Sequence, residues 1–137
     1  MPDASVRAGV VTTIIPVYNR PRLLADAVTS VLNQTYRRIE ILIVDDGSTD
    51  ETATVARAFA AQHPDAVRYL RQDHAGEAYA GCARARNAGL AAASGEFIQL
   101  LDSDDLLMAD KFATQVAALR ADPACGISYC YAREYPF

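Results

Sequence analysis

The sequence predicts an α/β fold, a mostly parallel β-sheet with helices on both faces. Three observations predict it. Short β-branched runs recur along the chain, helix-period apolar stripes lie between them, and turn or breaker residues mark the junctions. Strands that alternate with helices build parallel β-α-β units with right-handed crossovers.

Residues 10–15, Val-Val-Thr-Thr-Ile-Ile, are β-branched throughout and run into Pro16, as a buried strand does. Pro21 stands where a helix begins, and Leu23, Leu24, Ala27, Val28, Val31 and Leu32 share one helical face. Ile41-Leu42-Ile43-Val44 is a second strand, halted at Asp45-Asp46-Gly47. Ser48 and Glu51 have capping-box spacing, which opens a second helix with its stripe at Val55, Ala56, Phe59 and Ala60. His63-Pro64 closes that helix. Val67-Arg68-Tyr69-Leu70 is a shorter third strand, followed by a polar loop from Asp73 to Tyr79. An alanine-rich helix runs from about Ala80 to Ala93 and stops at Ser94-Gly95. Phe97-Ile98-Gln99-Leu100-Leu101 is the fourth strand, ending in Asp102-Ser103-Asp104-Asp105. A helix bearing Phe112, Val116 and Leu119 follows, then Pro123 and a fifth strand at Gly126–Tyr131.

The bulk numbers exclude several functions. At 137 residues the chain is one domain with one core, and 51% hydrophobic with 22% charged residues is ordinary for a globular protein. A net charge of −4 leaves no basic field to gather nucleic acid. Cys82, Cys125 and Cys130 have no C-x-x-C pair and fit neither a disulfide framework nor a zinc site, so reduced thiols in the cytosol are expected. Met1–Ser5 is no signal peptide, and no run approaches the ~20 apolar residues that span a bilayer. The expected place is the cytoplasm, including the cytoplasmic face of a membrane.

Open parallel sheets bind ligands at the carboxyl ends of their strands, where strand order reverses. Those ends carry unusual residues here: Pro16-Val17-Tyr18-Asn19, Asp45-Asp46 and Asp102-Ser103-Asp104-Asp105. Five acids gathered at one sheet edge repel, and a divalent cation relieves that repulsion. Mg²⁺ and Mn²⁺ prefer oxygen, taking one or two carboxylates with substrate phosphates, and Asp102 and Asp104 can face one pocket. The plainer roles are helix capping for the tetrad and a glycine turn for Asp45-Asp46-Gly47-Ser48. A second acidic pair at the neighbouring strand end favours the metal. One of Asp45 and Asp46 is expected to accept a hydrogen bond from a ligand, and Tyr18 to present a half-exposed ring for stacking. Of Arg84 and Arg86, one suits a phosphate contact and the other a solvated surface. His63, His74 and the cysteines receive no role.

Together these segments resemble the family 2 glycosyltransferases, inverting enzymes of the GT-A fold. The resemblance rests on Thr13–Arg20, Ser30–Tyr36, Glu40–Asp50, Arg86–Leu90 and Gly95–Asp105, in family order over nearly the whole chain. It implies that residues 1–137 are the nucleotide-sugar-binding part of a longer domain. Tyr18 then stacks on the base, with Pro16 in the same wall and Asp46 accepting its imide N–H beside Asp45. Asp102-Ser103-Asp104 becomes a DxD element, with Asp104 on Mn²⁺ or Mg²⁺, Asp102 toward ribose or metal, Asp105 near the sugar and Arg86 at a phosphate. The implied donor is a UDP-sugar, and the acceptor a glycan, lipid-linked or protein hydroxyl in cell-envelope glycan synthesis. The general base is expected beyond Phe137.

Two rivals fit less well, and a third stays open. A receiver-type signalling domain needs a lysine at a later strand end, but the only lysine, Lys111, follows the acidic tetrad. A nicotinamide dehydrogenase needs G-x-G-x-x-G after the first strand, where this chain has no glycine. A module that binds a nucleotide without turnover remains compatible with these residues.

Overall fold

β1 (Arg7–Val17) is flanked by β2 (Ile39–Asp45) on one side and β4 (Gly95–Leu100) on the other, with β3 (Val67–Arg71) beyond β2. The computed structural model describes residues 6–74, 76 and 78–134. All three pairings are parallel, in the order β3-β2-β1-β4. The chain first steps outward through β2 and β3, then returns across β1 to place β4. Strand order therefore reverses between β1 and β4, and the crevice of the sheet opens at their carboxyl ends.

Period-two alternation sends β1 and β2 side chains to two separate cores. Val11, Ile15, Ile41 and Ile43 pack with Leu24, Val28 and Val31 of α1 (Pro21–Leu32), Ala56 of α2 (Thr52–Gln62), and Phe112 and Val116 of α4 (Lys111–Ala121). Ile14, Leu42 and Val44 meet α3 (Ala78–Ala92) on the opposite face, through Ala85, Ala88 and Ala92. The small residues of α3 let it lie close: a Cβ on Gly89 would come within 2.3 Å of the Ile14 side chain. Helices cover both faces, as the alternation predicts.

Glu40 is a buried carboxylate, 4% exposed, and it is fully engaged. It accepts from the Thr12 hydroxyl at 2.6 Å, the Ser94 amide and hydroxyl at 3.0 Å each, and Arg68 at 3.4 Å. Burial alone pushes its carboxyl up, but the hydrogen bonds from Thr12 and Ser94 and the charge of Arg68 outweigh that and hold it below its ordinary value. One side chain thus joins β1, β2, β3 and the turn into β4.

Gln34 makes a second tie. Its side-chain amide donates to the Met108 carbonyl at 2.7 Å and accepts from the Phe112 amide at 3.0 Å. The end of α1 is thereby stapled to the loop after the acidic tetrad and to the start of α4.

Three local expectations are corrected. α2 begins at Thr52 with Glu51 at its N-cap and no side-chain cap, so Ser48 and Glu51 form no capping box. The Ser48 hydroxyl instead accepts from the Asn19 amide at 2.9 Å, and Asp50 accepts from the Thr52 amide. No fifth strand forms at Gly126–Tyr131, and Ile127, Tyr129 and Tyr131 are 80%, 92% and 104% exposed. With neither a ladder nor a surface to bury them, their alternation has nothing to act on. β1 also runs through Pro16 to Val17. Pro16 is tolerated because its missing N–H falls on the β4 side, past the last paired residue, Ile14.

Candidate functional site

The loops leaving β1 and β2 are locked together before any acid is considered. Asn19 has a φ of 50°, a left-handed conformation that asparagine tolerates better than most residues. Its side chain accepts from the Thr49 amide at 2.8 Å and donates to the Thr49 hydroxyl at 3.3 Å. The Arg20 amide reaches the Thr52 hydroxyl at 3.0 Å. This lock presents Tyr18, 39% exposed, at the mouth of the sheet.

Asp45 and Asp46 have different environments. Asp45 is fully buried and accepts from the Ser48 amide at 2.8 Å, the Tyr69 hydroxyl at 2.7 Å and Arg71 at 2.9 Å. Burial, then the bond to Asp45, push the Tyr69 phenol up and keep it a donor. Asp45 therefore lies beneath the crevice and braces β2 against β3. Asp46 is 5% exposed and accepts from Gln72 at 2.6 Å and His74 Nδ1 at 2.8 Å. A carboxylate only accepts, so that imidazole nitrogen carries the proton. Each Asp46 oxygen keeps further acceptor capacity. Gly81 of α3 makes room, since a Cβ there would come within 2.2 Å of the carboxylate.

His74 stacks on Tyr18, with ring centroids 4.1 Å apart and planes 11° from parallel. Tyr18, His74 and Asp46 form one contiguous platform. His74 and Gln72 received no role from the sequence, although applying the strand-end rule to β3, as to the other strands, names Gln72-Asp73-His74.

The acidic turn after β4 completes the rim. Ser103 is buried at 5%, while Asp102 and Asp104 keep half-exposed side chains. Each faces an arginine: Arg20 meets Asp104 at 2.7 Å and Arg86 meets Asp102 at 2.5 Å. Arg86 is thus the arginine of the α3 pair that reaches the rim, and Arg84 is exposed. Arg20 follows Tyr18 by two residues, so the aromatic platform and the acidic turn are joined across the β1–β4 crevice. Partial burial lifts the Asp105 carboxyl above its ordinary value, and the charges of Asp104 and Asp102 add to it. Pro16 is buried in the floor.

Among the described residues no group of three or more His, Cys, Asp or Glu side chains is gathered to hold a metal unaided. Two half-exposed carboxylates in a tight turn nonetheless fit a hard divalent ion whose shell is completed by phosphate oxygens and water. A shallow concavity of about 500 Å³ lies beside the rim, between the starts of α1 and α2, and shares Asn19 and Arg20 with it. The only carboxylate among its lining residues is Glu51. No helix among the described residues is long and apolar enough to cross a membrane.

Comparison with known proteins bears on the family and the fold. The sequence profile of the Glycosyl transferase family 2 matches residues 12–136. The chain is 39% identical over 124 residues to the glycosyltransferase GlyG of Streptococcus pneumoniae, covering 88% of this chain and 40% of that protein. An uncharacterized glycosyltransferase of Nostoc sp. is 38% identical over 119 residues, covering 87% and 35% respectively. The chain therefore spans less than half the length of these relatives. Among solved structures it is similar to the mannosyltransferase PcManGT of Pyrobaculum calidifontis, a complex with GDP-Man and Mn²⁺. The TM-score is 0.77 at 32% identity, covering 97% of this chain and 38% of that one. The fold also matches S. aureus TarS bound to UDP-GlcNAc, with a TM-score of 0.70 at 23% identity over 81% of this chain and 31% of that one. The sheet order and two-faced helical cover are those of the GT-A fold, and the chain belongs to glycosyl transferase family 2.

Proposed function

We propose that residues 1–137 are the donor-binding part of an inverting, metal-dependent glycosyltransferase that takes a nucleoside-diphosphate sugar. The observation that carries this reading is the continuous rim from Asp46 through His74 and Tyr18 to Arg20 and Asp104. It offers an aromatic platform and a hydrogen-bond acceptor for a base, and cations and carboxylates for a diphosphate. The base would join or replace His74 on the Tyr18 ring, with its ring N–H on Asp46. Asp104 and Asp102 would hold Mn²⁺ or Mg²⁺, which when bound supplies positive charge to the departing diphosphate. Arg20 and Arg86 stand at the same carboxylates and would turn to phosphate oxygens as the ion takes their partners. Asp105 and Ser103 line the sugar side of that turn.

The donor is first a uridine diphosphate sugar. A guanosine diphosphate sugar is the second reading, favoured by the likeness to a mannosyltransferase bound to GDP-Man. Both bases carry a ring N–H that a carboxylate can accept. The acceptor, a glycan, lipid-linked or protein hydroxyl in cell-envelope glycan synthesis, and the base that takes its proton are assigned to sequence outside these residues.

UDP together with Mn²⁺ is expected to raise the melting temperature more than the two separate increments combined, because each ligand completes the other's site. Running GDP in parallel ranks the bases. Purely additive shifts for both nucleotides would sink the shared site. Tyr18→Ala is expected to weaken nucleotide binding by ~1–3 kcal/mol, the scale of one base–aromatic stack. Calorimetry finding equal affinity in that variant would move the base elsewhere.

A further inference from the structure

At the opposite pole of the sheet, where the strands begin, a cavity of about 370 Å³ is walled by Arg7, Arg37, Arg38, His63 and Asp65. We propose that it binds a phosphate-bearing ligand, with guanidinium groups on the phosphate and apolar wall on the carbon to which the phosphate is joined.

Charge carries the argument. The chain has a net charge of −4, and Arg20, Arg68, Arg71 and Arg86 each pair with a carboxylate. Arg7, Arg37 and Arg38 make no such pair among the described residues, and neither does Arg120 beside them. Arg38 Nε and an Arg120 Nη both lie within 3.4 Å of one point beside Gly9. Like charges so gathered repel, and an anion is what relieves them. Two carboxylates stand nearby and neither fills that need. Asp65 lies on the wall with no ion pair, and Glu96 spends an oxygen on the Gly9 amide at 2.5 Å.

The arginine geometry suits a phosphate. Arg37 Nη1 donates to the Leu32 carbonyl at 2.9 Å and the Gln34 carbonyl at 3.1 Å, which fixes its guanidinium and leaves its other N–H groups to a ligand. Arg7 has only a long 3.5 Å contact to the Ser94 hydroxyl. Planar guanidinium forks match phosphate oxygens in pairs. Val10, Leu32, Ile39 and Ala66 complete the wall and give the carbon joined to the phosphate an apolar neighbour. β1 separates this cavity from the acidic rim by roughly 30 Å, at about 3.3 Å per strand residue. It is a second site.

The test titrates phenyl phosphate into the full chain with UDP and Mg²⁺ present, following the arginine Nε–H resonances by NMR. Saturable shifts at Arg37 and Arg38 are expected, with affinity about tenfold weaker in Arg37→Gln/Arg38→Gln. Arg22→Gln, on the exposed face of α1, should bind as the unaltered chain does. Arg7→Gln loses only one long contact and should also weaken binding, so a poorly folded double variant does not end the test. Sedimentation with phosphatidylcholine vesicles, with and without phosphatidylglycerol, names the source. Arginine-dependent capture by phosphatidylglycerol makes the ligand a lipid headgroup. Binding of phenyl phosphate with no capture makes it a soluble ester. No saturable binding in either arm, or equal binding by the arginine variants, overturns the proposal.

Discussion

Asp104→Asn is expected to erase the Mn²⁺-dependent part of nucleotide binding while the free chain melts almost where it did. The substitution keeps the shape of the side chain and removes the charge that a hard cation requires. Its cost to stability should be at most about 1 kcal/mol, because the ion pair lost, with Arg20, is 40% and 49% exposed and exposed pairs contribute little. Binding and folding therefore separate cleanly at this position. Arg20→Gln is the contrasting variant: it frees Asp104 of its guanidinium and should leave the Mn²⁺ response in place. Thermal melts with and without Mn²⁺ and UDP read both. A persistent Mn²⁺ response in Asp104→Asn would put the ion on other ligands.

Glu40→Ala is expected to be strongly destabilising, by roughly 2–4 kcal/mol, since it leaves the buried Thr12 hydroxyl and the Ser94 amide without their acceptor. Arg68, 48% exposed, can return to water and adds little to that loss. The sign with pH follows from the lowered carboxyl. A group whose folded value lies below its unfolded value stabilises the protein above the unfolded value, and the gain disappears as pH falls through the folded one. Urea melts should therefore show the difference between the native chain and Glu40→Gln shrinking as the pH is lowered below about 4. A constant difference across that range would show that the contribution is packing and not charge.

Strand ends were legible because they are set by runs of residue type. Ile41–Val44 halting at two aspartates, and Phe97–Leu101 halting at Asp102, leave little freedom about where a parallel sheet opens. The two-faced helical cover was legible for the same reason. Partners between distant loops were not. Nothing local to His74 announces that its ring will lie on Tyr18, and nothing local to Ser48 favours Asn19 over a helix cap, because both pairings exist only once β1, β2 and β3 lie side by side. Residue type alone left Asp45 and Asp46 undistinguished, and the structure separates them, with Asp45 fully buried against Tyr69 and Arg71 and Asp46 held by Gln72 and His74. The Gly126–Tyr131 run shows the converse error: alternation was present, but a strand is a property of pairs, and no pair formed.

Gln34 has a consequence for the order in which the molecule assembles. Its bond to Met108 joins residues 74 positions apart, so it cannot form until the intervening three strands have collapsed into place. Contacts of such long sequence separation carry their loop-closure cost early and return their gain late. The loop after the acidic turn is consequently held by contacts that only the assembled sheet supplies. A substitution at Gln34 is thus felt at the end of α1, at Met108 and at the start of α4 together.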